Sequence, residues 1–324
     1  MSAFVAPITH GQTESVLGDA YKYAGELIRE RLVESFEATG EGLVVGWGDL
    51  AGTGTDTLRI THWTGLGYAE EFQAMAAEND EPTATGFEAD NDTASLARYA
   101  LAKDQTYQNA ILAGPVEQAI FGLDKLAVQV PRSLSATIRS LLGAQVGTFS
   151  DSIGDTGVAW TMDHELQLVA AFRETDGYDP RTHGLPVALR APAQLTQLRD
   201  SIRNEPAFQD PAVMQAVNSL GGEAGGGFSF LGIRNIGSGA VGTSGGDYLG
   251  GAYLPGAVGI VVASGRRAPV QDPASTIYLD EWGLIIEHRS RPGPATATFT
   301  ANAWVGMAKR SALVFPQKRI RSVV

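Results

Sequence analysis

Apolar positions near the start of the chain recur every three or four residues: Leu17, Tyr21, Ala24, Ile28, Leu32 and Phe36. That spacing predicts an amphipathic helix over 13–38, with Gly40 as its stop. A glycine-rich stretch, 40–54, follows as a loop with a short strand at 43–45. The segment 57–63 alternates and is rich in β-formers, so it predicts a strand, and 93–101 is its expected returning partner. The stretch of some 30 residues between them is acidic, alanine-rich and poor in large apolar groups. Inside a compact domain so long a connection would be anomalous, and an extended hairpin arm accounts for it better.

Further along, 115–148 is helix-rich. Leu134, Ile138, Leu141, Leu142 and Val146 form its apolar face, and Pro131 is expected to interrupt it. A second helix is predicted over 163–175, a buried strand over 186–190, and a helix from Pro192 to about Asn204 with proline at its favoured first position. Strands are expected at 228–233 and 256–263. Two long runs, 277–288 and 295–305, are joined by the hairpin connector at 290–294, with a third strand at 313–315.

Composition narrows the classes. There is no cysteine, so disulfides, thiolate metal sites and thiol nucleophiles are excluded. Glycine supplies 39 of 324 residues, well above the average of about 7%, which argues for turns and against a helix bundle. The N-terminal residues lack the pattern of a secretory signal. The longest uncharged stretch, 248–265, is broken by glycines and Pro255 and does not suit a membrane helix. A soluble α+β protein is expected.

The net charge of −12 is unevenly placed. Residues 1–100 carry 17 acids and 5 bases, whereas 101–324 carry 19 of each. Between 60 and 97 there are eight acids (Glu70, Glu71, Glu78, Asp80, Glu81, Glu88, Asp90, Asp92) and no lysine or arginine. Nothing acidic follows Glu287, but seven bases do. Complementary faces meeting between copies, or solvated tails, would each produce this asymmetry.

Two short motifs suggest catalysis. Gly237-Ser-Gly-Ala-Val-Gly242 matches the dinucleotide fingerprint, and Gly242-Thr-Ser244-Gly-Gly246 matches a nucleophile elbow. Both chemistries need a helix after the glycines, and Thr-Ser-Gly-Gly-Asp-Tyr-Leu-Gly-Gly does not predict one. The five histidines do not pair at metal-ligand spacing, and 70–92 lacks the calcium-loop pattern. No nucleophile, base and oxyanion site assembles from these residues, and no cofactor or metal is expected.

The order of elements resembles the major capsid proteins of tailed bacteriophages, the Hong Kong 97-like fold. The strand 56–62 and the return 97–103 resemble that family's E-loop, and the helical stretch ending at 140–150 its spine helix. The segment 185–199, with Pro192-Ala-Gln194 after a buried strand, resembles the strand–turn–helix of the axial domain, and 281–289 with 295–305 the long strands of the peripheral domain. The resemblance implies an α+β chain divided into an N-terminal arm (1–50), an E-loop hairpin (51–108), a peripheral domain (109–162 and 268–324) and an axial domain (163–267). It implies a structural subunit and no enzyme, assembling as pentamers and hexamers into an icosahedral virion shell in the bacterial cytoplasm. Its expected partners are its own copies, a scaffolding protein, a portal, decoration proteins and encapsidated DNA bound non-specifically; no membrane is involved.

The founding member's lysine–asparagine cross-link is not expected, because no lysine lies between Lys22 and Lys103. The eight arm acids are expected to face basic residues of a neighbour such as Arg132, Arg139, Arg289 and Arg291, with simple solvation of the arm as the rival explanation. A tail-tube protein, or a serine hydrolase or nucleotide-binding enzyme using 237–246, remains the alternative.

Overall fold

The computed structural model describes residues 43–64, 88–106, 115–175, 178–205, 228–263, 276–279, 284–291, 296–312 and 315–324. The helix expected at 13–38 lies outside them. The strands are β1 (Val45–Asp49), β2 (Thr57–Thr64), β3 (Glu88–Ser95), β4 (Ala97–Thr106), β5 (Ser152–Ile153), β6 (Val187–Arg190), β7 (Phe228–Phe230), β8 (Ile233–Gly237), β9 (Gly242–Ser244), β10 (Asp247–Tyr253), β11 (Val258–Val262), β12 (Thr276–Leu279), β13 (Leu284–Arg291), β14 (Thr296–Lys309) and β15 (Gln317–Val323). The helices are α1 (Pro115–Gly147), α2 (Met162–Arg173), the single turn α3 (Pro180–His183) and α4 (Pro192–Asn204).

Three sheets result. A six-stranded sheet runs β1-β11-β14-β13-β12, with β4 also on β14. A seven-stranded sheet runs β5-β15-β10-β6-β8-β7, with β9 on β10. Strands β2 and β3 form a separate two-stranded ladder.

The helix α1 is continuous over 33 residues, about 50 Å, and Pro131 sits inside it, contrary to the expected interruption. An interior proline costs about 3 kcal/mol. Burial of the flanking face offsets it: Val130, Leu134, Ile138, Leu142 and Val146 are all buried at i, i+4 spacing. This face packs on both large sheets at once, in one core with Val187, Leu189 and Tyr253 of the seven-stranded sheet and Val258, Ala301, Val305 and Met307 of the six-stranded one.

On the far face of the seven-stranded sheet, α2 and α4 cover a second core of Leu168, Phe172, Leu195, Leu198 and Ile202 against Ala188, Ala252 and Ile320. Strand β6 is therefore buried on both sides. Val187 and Leu189 face α1 while Ala188 faces α2 and α4, as the two-residue period requires.

Local chemistry explains the element ends. At α4, Gln194 Oε1 accepts from the Ala191 N–H at 2.9 Å, so the third helical residue satisfies the turn that Pro192 opens. At α2, the Met162 N–H donates to Ser201 Oγ and the Trp160 N–H to Gln197 Oε1, so α4 supplies the partners for the start of α2. Gly143 is needed where α1 crosses the loop at 239–241. A Cβ there would run into the Ala240 carbonyl.

Several expected strands divide. The returning strand at 93–101 is two: β3 ends at Ser95 on β2, and β4 starts at Ala97 on β14. Between them the Leu96 N–H donates to Asp56 O at 2.7 Å. The expected 228–233 strand turns at Leu231 and Gly232, both with positive φ. The expected 277–288 strand is β12 plus β13. The expected strand at 313–315 falls partly outside the described residues, and the last strand is β15 instead. Its sequence, Gln-Lys-Arg-Ile-Arg-Ser-Val, shows no apolar alternation, because the buried positions Gln317, Ile320 and Ser322 fall on both faces and two of them are polar. Sheet membership also cuts across the expected segments: β11, within 163–267, belongs to the six-stranded sheet, and β15, within 268–324, to the seven-stranded one.

Ile138→Ala should lower stability by about 2–5 kcal/mol in urea unfolding of the isolated chain, whereas Arg139→Ala, one residue on and exposed, should change it by less than about 0.5 kcal/mol.

Candidate functional site

Neither glycine motif builds a site. Gly237 ends β8, Ser238 is buried and accepts from the Ala240 N–H at 3.2 Å, and β9 begins at Gly242. Ser244 is exposed at the last position of β9, and β10 follows a two-residue turn. The helix that would aim N–H groups at a phosphate, or raise a nucleophile, is replaced by a hairpin. Among the described residues no three His, Asp or Glu side chains converge as metal ligands, and no helix is long and apolar enough to cross a membrane. An apolar groove of about 160 Å³ lies between α1, β4 and β14, lined by Tyr99, Leu101, Val130, Leu134 and Ala303. It holds no group able to transfer a proton beyond the Tyr99, Ser133 and Thr137 hydroxyls.

Two buried polar constellations stand out, both in the seven-stranded sheet. Arg190, the last residue of β6, and Glu165 of α2 are fully buried and meet at 2.5 Å. Trp160 Nε1 donates to the same carboxylate oxygen at 3.0 Å, and the guanidinium lies 4.7 Å from the indole centroid. Glu165 Oε1 and Arg190 Nε and Nη1 have no hydrogen-bond partner among the described residues. Burial lowers the Arg190 pKa from its ordinary value, and Glu165 opposes that shift. Glu165 lies in the first turn of its helix, where acids suit the dipole; Arg190, at the end of a strand expected to be buried, is the sequence signal that an acid must meet it.

The second constellation joins three distant segments. Buried Asp247 accepts from the Gly157 N–H at 2.9 Å and from Arg321 Nε at 2.7 Å. The Gly157 bond, then Arg321, holds its pKa below the ordinary carboxylate value against the effect of burial. Both constellations tie elements together.

The expected surface residues are scattered. Glu70, Glu71, Glu78, Asp80 and Glu81 lie outside the described residues. Glu88, Asp90 and Asp92 are on β3, where Asp90 sits opposite His62 and Asp92 opposite Ile60. Asp92 is half-buried and accepts from the Ser311 N–H at 3.2 Å, so it anchors the ladder to its own chain. Arg132 and Arg139 are exposed, seven residues apart on one side of α1. Arg289 and Arg291 sit in β13, opposite Thr298 and Thr296.

No protein-family model matches the chain, and no curated protein does. Solved structures do. A chain of the structure described as Mycobacterium phage Che8 is 10% identical, with TM-score 0.56 over 86% of this chain and 89% of that one. A chain from the asymmetric unit of the bacteriophage PhiM1 mature capsid is 10% identical, with TM-score 0.55 over 87% and 86%. One from the capsid of Myoviridae phage XM1 is 9% identical, with TM-score 0.54 over 87% and 90%. The α+β architecture is that of phage capsid chains, as the Hong Kong 97-like resemblance implies.

Two measurements check the polar constellations. Glu165→Gln leaves a buried guanidinium without its counter-charge and should cost about 3–5 kcal/mol in urea unfolding, while the paired change Glu165→Leu with Arg190→Met should recover most of that loss. For Asp247 the folded pKa is lowered, so its contribution is complete above the ordinary carboxylate pKa and disappears as pH falls through the folded value. The melting temperature of the parent should therefore drop more steeply than that of Asp247→Asn below about pH 4.

Proposed function

We propose that this chain is a major capsid protein, assembling as pentamers and hexamers into the icosahedral shell around a phage double-stranded DNA genome. The observation that carries the reading is the architecture itself: one long helix clamped between two sheets, with a separate two-stranded ladder, matched over most of its length to phage capsid chains. We read the six-stranded sheet with α1 as the peripheral domain, the seven-stranded sheet with α2 and α4 as the axial domain, β2–β3 as the base of the E-loop, and the residues before β1 as the arm. The absence of a helix after either glycine motif counts against the hydrolase and nucleotide-binding readings.

In this reading the function is mechanical. A shell multiplies each modest contact by its copy number, so exposed ion pairs of about 0.2–1 kcal/mol suffice. In this reading the arm acids Glu70, Glu71, Glu78, Asp80, Glu81, Glu88 and Asp90 form such pairs with a neighbour's Arg132, Arg139, Arg289 or Arg291. Asp92 is already engaged by Ser311. Copies, a scaffolding protein and a portal are the partners, DNA is held without sequence preference, and no covalent cross-link forms.

Negative-stain microscopy of the expressed full chain should show closed shells, capsomers or sheets of capsomers, and denaturing gels of those particles should show only the monomer band. A small monodisperse particle under all assembly conditions overturns the reading.

A further inference from the structure

Two cations converge where α1, β14 and β15 meet, and their own subunit does not match their charge. Along β15, Lys318 pairs with Asp151 at 2.8 Å and Arg321 with Asp247 at 2.7 Å. Lys309, the last residue of β14, and Arg319 of β15 are half-buried and make no ion pair among the described residues. Arg319 Nε is buried without a hydrogen-bond partner among them.

The two side chains come together at the end of α1. Arg319 stands opposite Gly251 in the β10–β15 ladder, and directly opposed residues project from the same face. The last turn of α1 lies on that face, since a Cβ at Gly251 would meet Val146 and Phe149. Lys309 reaches the same place from the other sheet. Its Nζ donates to Thr148 O at 2.7 Å and lies 5.8 Å from the Phe149 ring centroid. Burial, then the charge of Arg319, lowers the Lys309 pKa, which is how one cation responds to another close by.

The neighbouring acceptors are engaged. Gln145 O accepts from the Thr148 N–H at 3.0 Å and from Thr148 Oγ1 at 2.7 Å, and Val146 O accepts from the Phe149 N–H at 3.2 Å. Asp151 is paired with Lys318, which alternation puts on the opposite face of β15 from Arg319. Asp247 is held by Arg321 and the Gly157 N–H. The carbonyl end of α1 accounts for Lys309 and leaves Arg319 without a counter-charge. A partly desolvated cation is costly unless an anion meets it.

The surroundings select the anion. Both side chains are half-buried, recessed enough to suit a small ion better than a broad surface. A tetrahedral oxyanion can accept from the planar guanidinium and from the ammonium together, and Lys309 Nζ keeps N–H donors beyond the one given to Thr148.

We propose that Lys309 and Arg319 form a binding site for one free inorganic phosphate ion, which ties the end of α1 to both large sheets. Lys309 contributes from the six-stranded sheet and Arg319 from the seven-stranded one. The site is built within one subunit, so it does not depend on the assembly reading above.

The test uses the full chain in a zwitterionic buffer at constant ionic strength, with inorganic phosphate replacing chloride in steps. The melting temperature by circular dichroism should rise along a saturating curve, and titration calorimetry should give one phosphate per chain. Arg319→Gln should weaken binding at least about tenfold, the loss expected for one charge-assisted bond. Lys309→Gln carries the same expectation and serves if Arg319→Gln does not fold. Arg181→Gln, an exposed change on α3, should leave binding as it is.

A flat titration of the parent overturns the proposal. So does an equal gain in the parent and a folded Arg319→Gln or Lys309→Gln chain, which would mark phosphate excluded from the whole surface. Arg319-dependent binding of a short DNA duplex, with no binding of free phosphate, overturns the free ion in favour of a phosphodiester backbone.

Discussion

The stripe Val130, Leu134, Ile138, Leu142 and Val146 is shared between two sheets, and that sharing constrains the rest of the molecule. A helix packed on one sheet could slide or rock against it. Here the same side chains interdigitate with β14 of one sheet and with β6 and β10 of the other, so a shift that improves one packing damages the other. The tolerance of Pro131 in the middle of α1 follows, because the face around it is held from two directions. So does the close crossing at Gly143, since α1 is held too near the 239–241 loop for any side chain to intervene.

Much of this was legible in the sequence wherever burial follows a period. The α1 face, the buried strand before Pro192 and the start of α4 all follow from local pattern and capping chemistry. Legibility failed where tertiary pairing overrides the pattern. The expected strand at 93–101 spans the end of β3 and the start of β4, and only the partners, β2 for one and β14 for the other, separate them at Leu96; the first half of β3, Glu-Ala-Asp-Asn-Asp, carries no β signal. Strand β15 looks like a solvated basic tail because its buried positions, Gln317 on one face and Ile320 and Ser322 on the other, include two polar residues.

The candidate site was legible only as charge arithmetic. The sequence located the acidic surplus and offered Arg132, Arg139, Arg289 and Arg291 as its counterpart. That Lys318 and Arg321 are engaged by Asp151 and Asp247, while Lys309 and Arg319 make no ion pair among the described residues, is a matter of tertiary pairing that the basic run 318–321 does not reveal. Buried polar pairs show the same limit. Nothing local distinguishes Glu165 from Asp163, yet one is fully buried against Arg190 and the other is exposed.

The chain passes between the two large sheets at 254–257, from β10 to β11, and again at 310–316, from β14 to β15. These crossings run side by side and are bonded to each other, Leu254 N–H to Pro316 O at 3.3 Å and Arg310 N–H to Ala257 O at 2.7 Å. They form a two-stranded strap. Sliding one sheet past the other would break both bonds, so backbone hydrogen bonding resists shear at the same junction where the shared α1 core resists it by packing.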